Sequence, residues 1–266
     1  MPREYTYGPF QSRRLGLSLG VDILPRSKLC TFNCVYCEIG PTGKNQLVSP
    51  NFRIKLPPSS NFRKELKSIL KFVPHLNSIT FGYNGEPTLN ENILDFLKIA
   101  LEVRDELNWT YEKPKLTLFT NSSTLIFDEI RERVKQFELV LAKLDVATKV
   151  DFTLSNRPHP ETPKIEAIID SIVKLKKEMP NEHKLAIQCL FYSSYREEFI
   201  SNNNVENIKK LAYAIKRIKP DLVQIYSTAR IPAEYFVFAI DDKRKREIIK
   251  IFNEIIQNDK IKIKYY

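Results

Sequence analysis

The chain has 266 residues, of which 42% are hydrophobic and 28% charged, a balance that excludes a disordered or collagen-like polymer. Its formal net charge is +10, which suits a polyanion such as RNA and equally a lysine-rich soluble enzyme whose charges are solvated. No run of about eighteen apolar residues occurs and the N-terminus lacks a secretory h-region, so a cytoplasmic protein that engages no membrane is expected.

Apolar periodicity switches between two and three-to-four along the chain. In chain order it predicts a strand over 18–24, a helix over 61–72, a strand over 78–84 and a helix over 90–107 capped by Asn90. A strand over 116–121, a helix over 127–137 and a strand over 139–146 follow. Next comes a helix over 163–178, with Thr162 as cap and Pro163 at its first position. Strands at 185–191 and 222–227 alternate with helices at 205–218 and 241–258, and the tail 260–266 reads as a lysine-protected edge strand. The expected fold class is α/β: one domain over 1–266, with a core of about 15–240 and a C-terminal helix and edge strand over 241–266. Six strand–helix units are too few for a closed barrel. They leave a partial (β/α)6 TIM-like barrel of parallel strands, open on one side, or a doubly wound sheet.

The strand ends favour the barrel. Asn84 and Glu86, Thr120 and Asn121, Lys143 and Asp145, Gln188 and Gln224 collect at the C-terminal ends of successive strands, where a polar ligand would sit. Mutual pairing, as between Lys143 and Asp145, is the competing explanation.

All seven glycines lie within the first 85 positions, together with three of the four cysteines. Those three, Cys30, Cys34 and Cys37, form a C-x3-C-x2-C cluster directly after the first predicted strand. Three thiolates at this spacing suit three corners of an iron–sulfur cluster with one iron left open. Structural zinc wants four ligands, and the sequence offers only the distant Cys189 or His75 as a fourth.

The cluster, with Tyr36 before its last cysteine, resembles the hallmark of the radical S-adenosylmethionine (radical SAM) superfamily. The flanking Gln11–Asp22 segment, Asn84-Gly85-Glu86-Pro87-Thr88-Leu89, Thr120-Asn121-Ser122-Ser123, Lys143-Leu144-Asp145, Asn156-Arg157-Pro158-His159 and Ala229–Glu234 are similar to the stand-alone radical SAM proteins related to the tRNA wyosine-base synthases. The resemblance runs from about residue 7 to 240 and implies a [4Fe–4S] cluster on Cys30, Cys34 and Cys37. S-adenosylmethionine would bind its open iron, and reductive cleavage would yield a 5′-deoxyadenosyl radical that takes hydrogen from the substrate. The resemblance places Tyr36 and Gln188 at the adenine and Gly85, Glu86 and Pro87 at the methionine amino group. It places Asn121 and Ser122 by the ribose or sulfonium, and Lys143 and Asp145 by the ribose hydroxyls or carboxylate. Asn84 stands where the superfamily has a first glycine. An electron donor such as a flavodoxin or ferredoxin is implied as partner.

Arg13, Arg14, Arg157, His159 and Arg230 lie in strand-end segments that the cofactor does not need, and they are the candidate substrate contacts, with Glu234 beside them. Loop-anchoring ion pairs are the alternative role for each. No cysteine precedes Cys30 to hold the second cluster of the wyosine synthases themselves, so a single-cluster enzyme is expected. Its substrate is read as an RNA or tRNA nucleoside. The alternatives are a peptide, protein or small metabolite, or, from another class, a zinc-bearing RNA-binding module without turnover. Cys189, opposite in parity to Gln188, is read as a packed hydrophobe.

Overall fold

In the computed structural model, which describes residues 3–266, strand parity decides the architecture. The strands are β1 (Thr6–Ser12), β2 (Gly16–Val21), β3 (Ser78–Phe81), β4 (Lys115–Thr120), β5 (Leu139–Lys143), β6 (Lys184–Ser194), β7 (Leu222–Ser227), β8 (Val237–Ala239) and β9 (Lys262–Tyr265). The helices are α1 (Ser60–Leu70), α2 (Ile93–Asp105), α3 (Asp128–Val134), the single turn α4 (Lys149–Asp151), α5 (Ile165–Glu178), α6 (Val205–Ile218) and α7 (Asp242–Ile256). From β2 to β7 consecutive strands pair in parallel, and β9 adds in parallel to β7. The sheet path ends at β1 on one side and β9 on the other, so the barrel is a curled, open one.

Registered neighbours explain which face is which. Leu19, Ile79 and Leu116 lie side by side, as do Val140 and Leu185, and Ile187 and Val223. This row is buried against the helices and carries the apolar core. The alternate positions face inward and mix small or polar residues with larger ones such as Phe119, Leu190 and Tyr226. Ser18 and Thr80 share a hydrogen bond of 2.8 Å, as do Ser78 and Thr117. Nearer the C-terminal ends, Lys143, Gln188 and Gln224 stand in register, and Gln188 donates to Gln224 at 2.7 Å. Apolar outside and polar inside is what a sheet wrapped by helices around a polar pocket requires. No helix among the described residues is long and apolar enough to cross a membrane.

The expected partial barrel is therefore present, with several corrections. β1 pairs antiparallel with β2, and the short β8 pairs antiparallel with β6, so the sheet is not wholly parallel. A register shift between Tyr7 and Phe10 absorbs Gly8 and Pro9 within β1. Helix α2 starts three residues later than expected: Asn90 is buried, donating to the carbonyls of Ile23 (2.8 Å) and Leu56 (2.9 Å) instead of capping a helix. Thr162 and Pro163 precede α5 rather than open it, because Lys164 is still extended (ψ 151°). Where Asn204 and Asp241 precede α6 and α7, their side chains accept from the Asn207 and Arg244 amides, as N-caps do.

Candidate functional site

The chain leaves β2 and enters a loop held both by bonds of its own, such as the Cys30 amide to the Gln46 carbonyl at 3.0 Å, and by its neighbours. Leu29 donates to the Asn84 carbonyl at 3.0 Å and accepts from the Glu86 amide at 2.9 Å, a strand-like bridge across Gly85. Asn84 adds side-chain bonds to the carbonyls of Pro25 (2.9 Å) and Arg26 (2.8 Å), which is what an asparagine contributes at a position where the resemblance calls for glycine. Gly85 has φ +133°, and a Cβ there would stand 1.8 Å from the Leu29 carbonyl oxygen. Further along, the Asn33 and Val35 amides donate to Asn156 (3.0 Å) and Ser155 (2.9 Å).

This loop presents Cys30, Cys34 and Cys37 to one cavity of about 610 Å³ in the barrel mouth. Each sulfur receives a different N–H donor: Asn121 on Cys30 (3.5 Å), Asn156 on Cys34 (3.5 Å) and Lys28 on Cys37 (3.3 Å). Burial, and then the neighbouring thiols, push Cys30 up to about 12 and Cys34 up to about 11. Three crowded thiols beside N–H donors suit a cationic soft-metal group that would hold them deprotonated. Among the described residues no three His, Cys, Asp or Glu side chains converge on a single-ion position. Three thiols of one loop facing one cavity are a donor set that a multi-iron cluster takes. Cys189 is fully buried in the apolar core and is not among the cavity-lining residues, so it does not close the set.

Around the cysteines, several side chains expected to touch a ligand are engaged within the protein and hold residues that line the cavity. Glu86 is buried and accepts from Thr88 (2.6 Å), Thr120 (2.9 Å) and the Asn121 amide. Burial raises its pKa in spite of these bonds. It does not line the cavity; it positions Asn121, which does. Pro87 opens a 3-10 turn over Pro87–Leu89. Ser122 is buried in the left-handed region (φ 71°), its hydroxyl donating to the Lys143 carbonyl at 3.2 Å. Asp145 also lies behind the cavity wall, accepting from the Tyr36 hydroxyl, the Leu190 amide (2.6 Å) and Lys143 (3.4 Å). Its lone pairs are thus engaged by the protein.

Lys143, Tyr36, Gln188 and Gly85 do line the cavity. Burial alone would lower the Lys143 pKa, but Asp145 and Tyr226 outweigh it and the ammonium is held firmly protonated. Its Nζ donates to the Tyr226 hydroxyl at 3.0 Å. Of the candidate substrate contacts, Arg13, Arg14 and Arg230 line the mouth, with Arg230 paired to Glu38 at 3.3 Å. Arg157 and His159 do not. Arg157 takes a left-handed backbone (φ 44°) and turns to Glu234, while His159 accepts from the Glu161 amide at 3.2 Å. The cause is a π-helical turn over Phe152–Asn156, which aims Asn156 rather than its neighbours at Cys34. Sequence reasoning picked out this segment but weighted its charged residues. Lys28 and Tyr226 carry no local signal, and Asn156 shows only as the first residue of the Asn156-Arg157-Pro158-His159 motif.

No protein-family model matches the chain. In sequence it is 29% identical over 262 residues to a UPF0026 protein of Methanocaldococcus jannaschii, covering 97% of this chain and 74% of that one. It is 24% identical over 229 residues to a UPF0026 protein of Helicobacter pylori, covering 86% and 67%. A 26% match over 246 residues to the protein named GTPase Obg of Brachyspira hyodysenteriae covers 92% of this chain but only 33% of that protein. Among solved structures, Streptococcus suis SuiB bound to S-adenosylmethionine superposes with a TM-score of 0.60 at 16% identity, over 93% of this chain and 50% of that one. The chain has the fold of radical SAM enzymes. The structure of anSMEcpe with bound AdoMet (TM-score 0.60, 17% identity, 92% of this chain and 64% of that one) gives the same picture. So does TYW1 with a lysine–pyruvate adduct (TM-score 0.55, 14% identity, 89% and 73%). The chain thus spans about half the length of SuiB.

Proposed function

We propose that the protein is a radical SAM enzyme with a single [4Fe–4S] cluster, acting on a substrate that enters the barrel mouth. One observation carries this reading: three cysteines open into one cavity, each with its own N–H donor. When bound, the cluster and S-adenosylmethionine together supply hydrogen-atom abstraction from carbon.

The chain's own residues have distinct tasks in this scheme. Cys30, Cys34 and Cys37 would hold the cluster. Lys28, Asn121 and Asn156 would stabilise the thiolates by charge-assisted or neutral hydrogen bonds. Gly85 lets the segment after β3 pack directly on the Leu29 backbone and Gly82 lets it pack on Phe119, which fixes this wall of the cavity. Protonated Lys143 and the Tyr36 ring, 5.0 Å apart, offer a charge and an aromatic face to the same space. The narrow, protein-lined mouth limits access of water to the site. A small acidic redox protein such as a flavodoxin or ferredoxin suits the basic chain as electron donor.

The test is anaerobic reconstitution with iron and sulfide, reduction, and assay of added S-adenosylmethionine for 5′-deoxyadenosine. Brown protein that releases 5′-deoxyadenosine is expected; colourless, zinc-loaded protein without cleavage would overturn the reading. Asn156→Ala removes the donors to Cys34 and to the Tyr36 hydroxyl (2.8 Å) together. It is expected to weaken metal retention by about 10–100-fold, measured as the rate of iron loss to a chelator.

A further inference from the structure

The turn of the β1–β2 hairpin carries Arg13 and Arg14 into the rim of the same cavity. Their guanidinium groups have no carboxylate or other hydrogen-bond partner among the described residues. Most other arginines in the chain do, for example Arg63 with Glu102 and Glu106, Arg104 with Glu138, and Arg131 with Glu178. The one acid among the described lining residues, Glu38, is taken by Arg230. The rim therefore holds positive charge that no acid among the described residues neutralises.

The charge is also concentrated. The Arg14 guanidinium lies 4.0 Å from the centroid of the Tyr226 ring, and the Lys143 ammonium lies 5.5 Å from the same ring. Tyr226 thus carries Arg14 against its ring and Lys143 at its hydroxyl, which brings the two cations to one side chain. The turn that places them is stiff: Ser12 Oγ accepts from the Arg14 (3.3 Å) and Leu15 (3.2 Å) amides. Asn77 ties the returning strand down by accepting from the Leu17 amide at 2.8 Å. Little ordering cost remains when an anion arrives.

Next to the cations on the rim stands an aromatic strip. The register shift in β1 puts Tyr7 and Phe10 on one face, with their rings stacked at 6.0 Å, and Tyr83 joins Tyr7 at 4.5 Å. Phe10 and Tyr83 are 39% and 49% exposed, so they offer free ring faces toward the cavity mouth.

We infer that Arg13 and Arg14 form a phosphate-binding subsite, and that the substrate carries a phosphate and, adjoining it, a flat ring that lies against Phe10 and Tyr83. The inference rests on the reading above that this cavity is where the reaction occurs. Two adjacent guanidiniums suit an anion with several acceptor oxygens, and a phosphate group takes Arg forks readily. A free nucleotide offers three terminal oxygens and up to two charges, a nucleotide within an RNA strand two oxygens and one charge, and either places a phosphate beside a flat base.

Equilibrium binding to the reconstituted full-length protein tests it, with uridine, uridine 5′-monophosphate and a short uridine-containing RNA oligonucleotide as probes. The phosphate-bearing probes are expected to bind at least about tenfold tighter than uridine, with affinity falling as salt rises. The double variant R13Q/R14Q is expected to erase that difference. Tighter binding of the oligonucleotide than of the mononucleotide would assign the phosphate to an RNA strand, and the reverse to a free metabolite. Equal affinity for nucleoside and nucleotide, no binding of either, or an unaltered preference in R13Q/R14Q would overturn the subsite. The comparison of probes on the wild-type protein stands even if the variant does not fold. Release of 5′-deoxyadenosine from the same preparation separates the two readings: cleavage without phosphate preference removes the subsite alone, and phosphate preference without cleavage removes the radical chemistry alone.

Discussion

Cys34→Ala is expected to abolish release of 5′-deoxyadenosine and to leave protein that no longer turns brown on reconstitution. Cys34 is the middle one of the three cysteines proposed as ligands and contributes to two networks, receiving the Asn156 amide and standing beside Cys37 across a backbone bond of 3.2 Å. Its removal leaves two thiols facing a cavity built for three. The fold should survive, since the side chain lost is small and partly exposed, at a cost of about 1 kcal/mol. Circular dichroism and thermal unfolding check this. Cys189→Ala is the informative companion. That thiol is fully buried among apolar side chains, so its loss is expected to cost about 1–2 kcal/mol of stability while iron loading and cleavage persist. A zinc site closed by Cys189 predicts the opposite pattern, with Cys189→Ala losing metal as readily as Cys34→Ala.

Gly85→Ala is expected to be nearly as damaging, through the backbone. The residue sits at φ +133°, a conformation an L side chain rarely adopts, and the added methyl would meet the Leu29 carbonyl oxygen at 1.8 Å. Strain and overpacking together should cost about 2–5 kcal/mol. The obstacle is backbone, not a flexible side chain, so relief requires the 84–86 strip and the segment before Cys30 to part. That displaces Cys30 from Asn121, and reconstituted iron should fall along with the melting temperature. Gly40→Ala provides the contrast: φ is also positive (+85°), but no atom lies within 4 Å of the added carbon. A loss at Gly85→Ala no larger than at Gly40→Ala would mean that the bridge to Leu29 does not position the cysteine loop.

Much of this was legible before any coordinates. The parallel strands lie where their apolar periodicity puts them, because a strand packed between helices and a polar lumen must alternate in a way the sequence displays. Leu19, Ile79, Val140, Leu185 and Val223 show it, and so does the opposite parity of Gln188 and Cys189. The three-cysteine spacing is similarly local: Cys30, Cys34 and Cys37 lie within one loop and reach one cavity whatever the distant chain does.

The residues that complete the site were decided elsewhere. Asn156 reaches Cys34 across 122 positions and Asn121 reaches Cys30 across 91, and neither distance leaves a trace in local pattern. Charge was a poor guide for the same reason. Arg157, Glu234, Asp145 and Glu86 look functional as a string of letters, yet each is already engaged by a partner inside the protein. Arg13 and Arg14 look like any basic surface pair, yet they are left without one. Spacing and periodicity are properties of neighbours in the chain, so the sequence by itself determined the sheet and the cysteine triad. Whether a polar group is free to meet a ligand depends on whether another has been folded against it, and that only the tertiary structure decided.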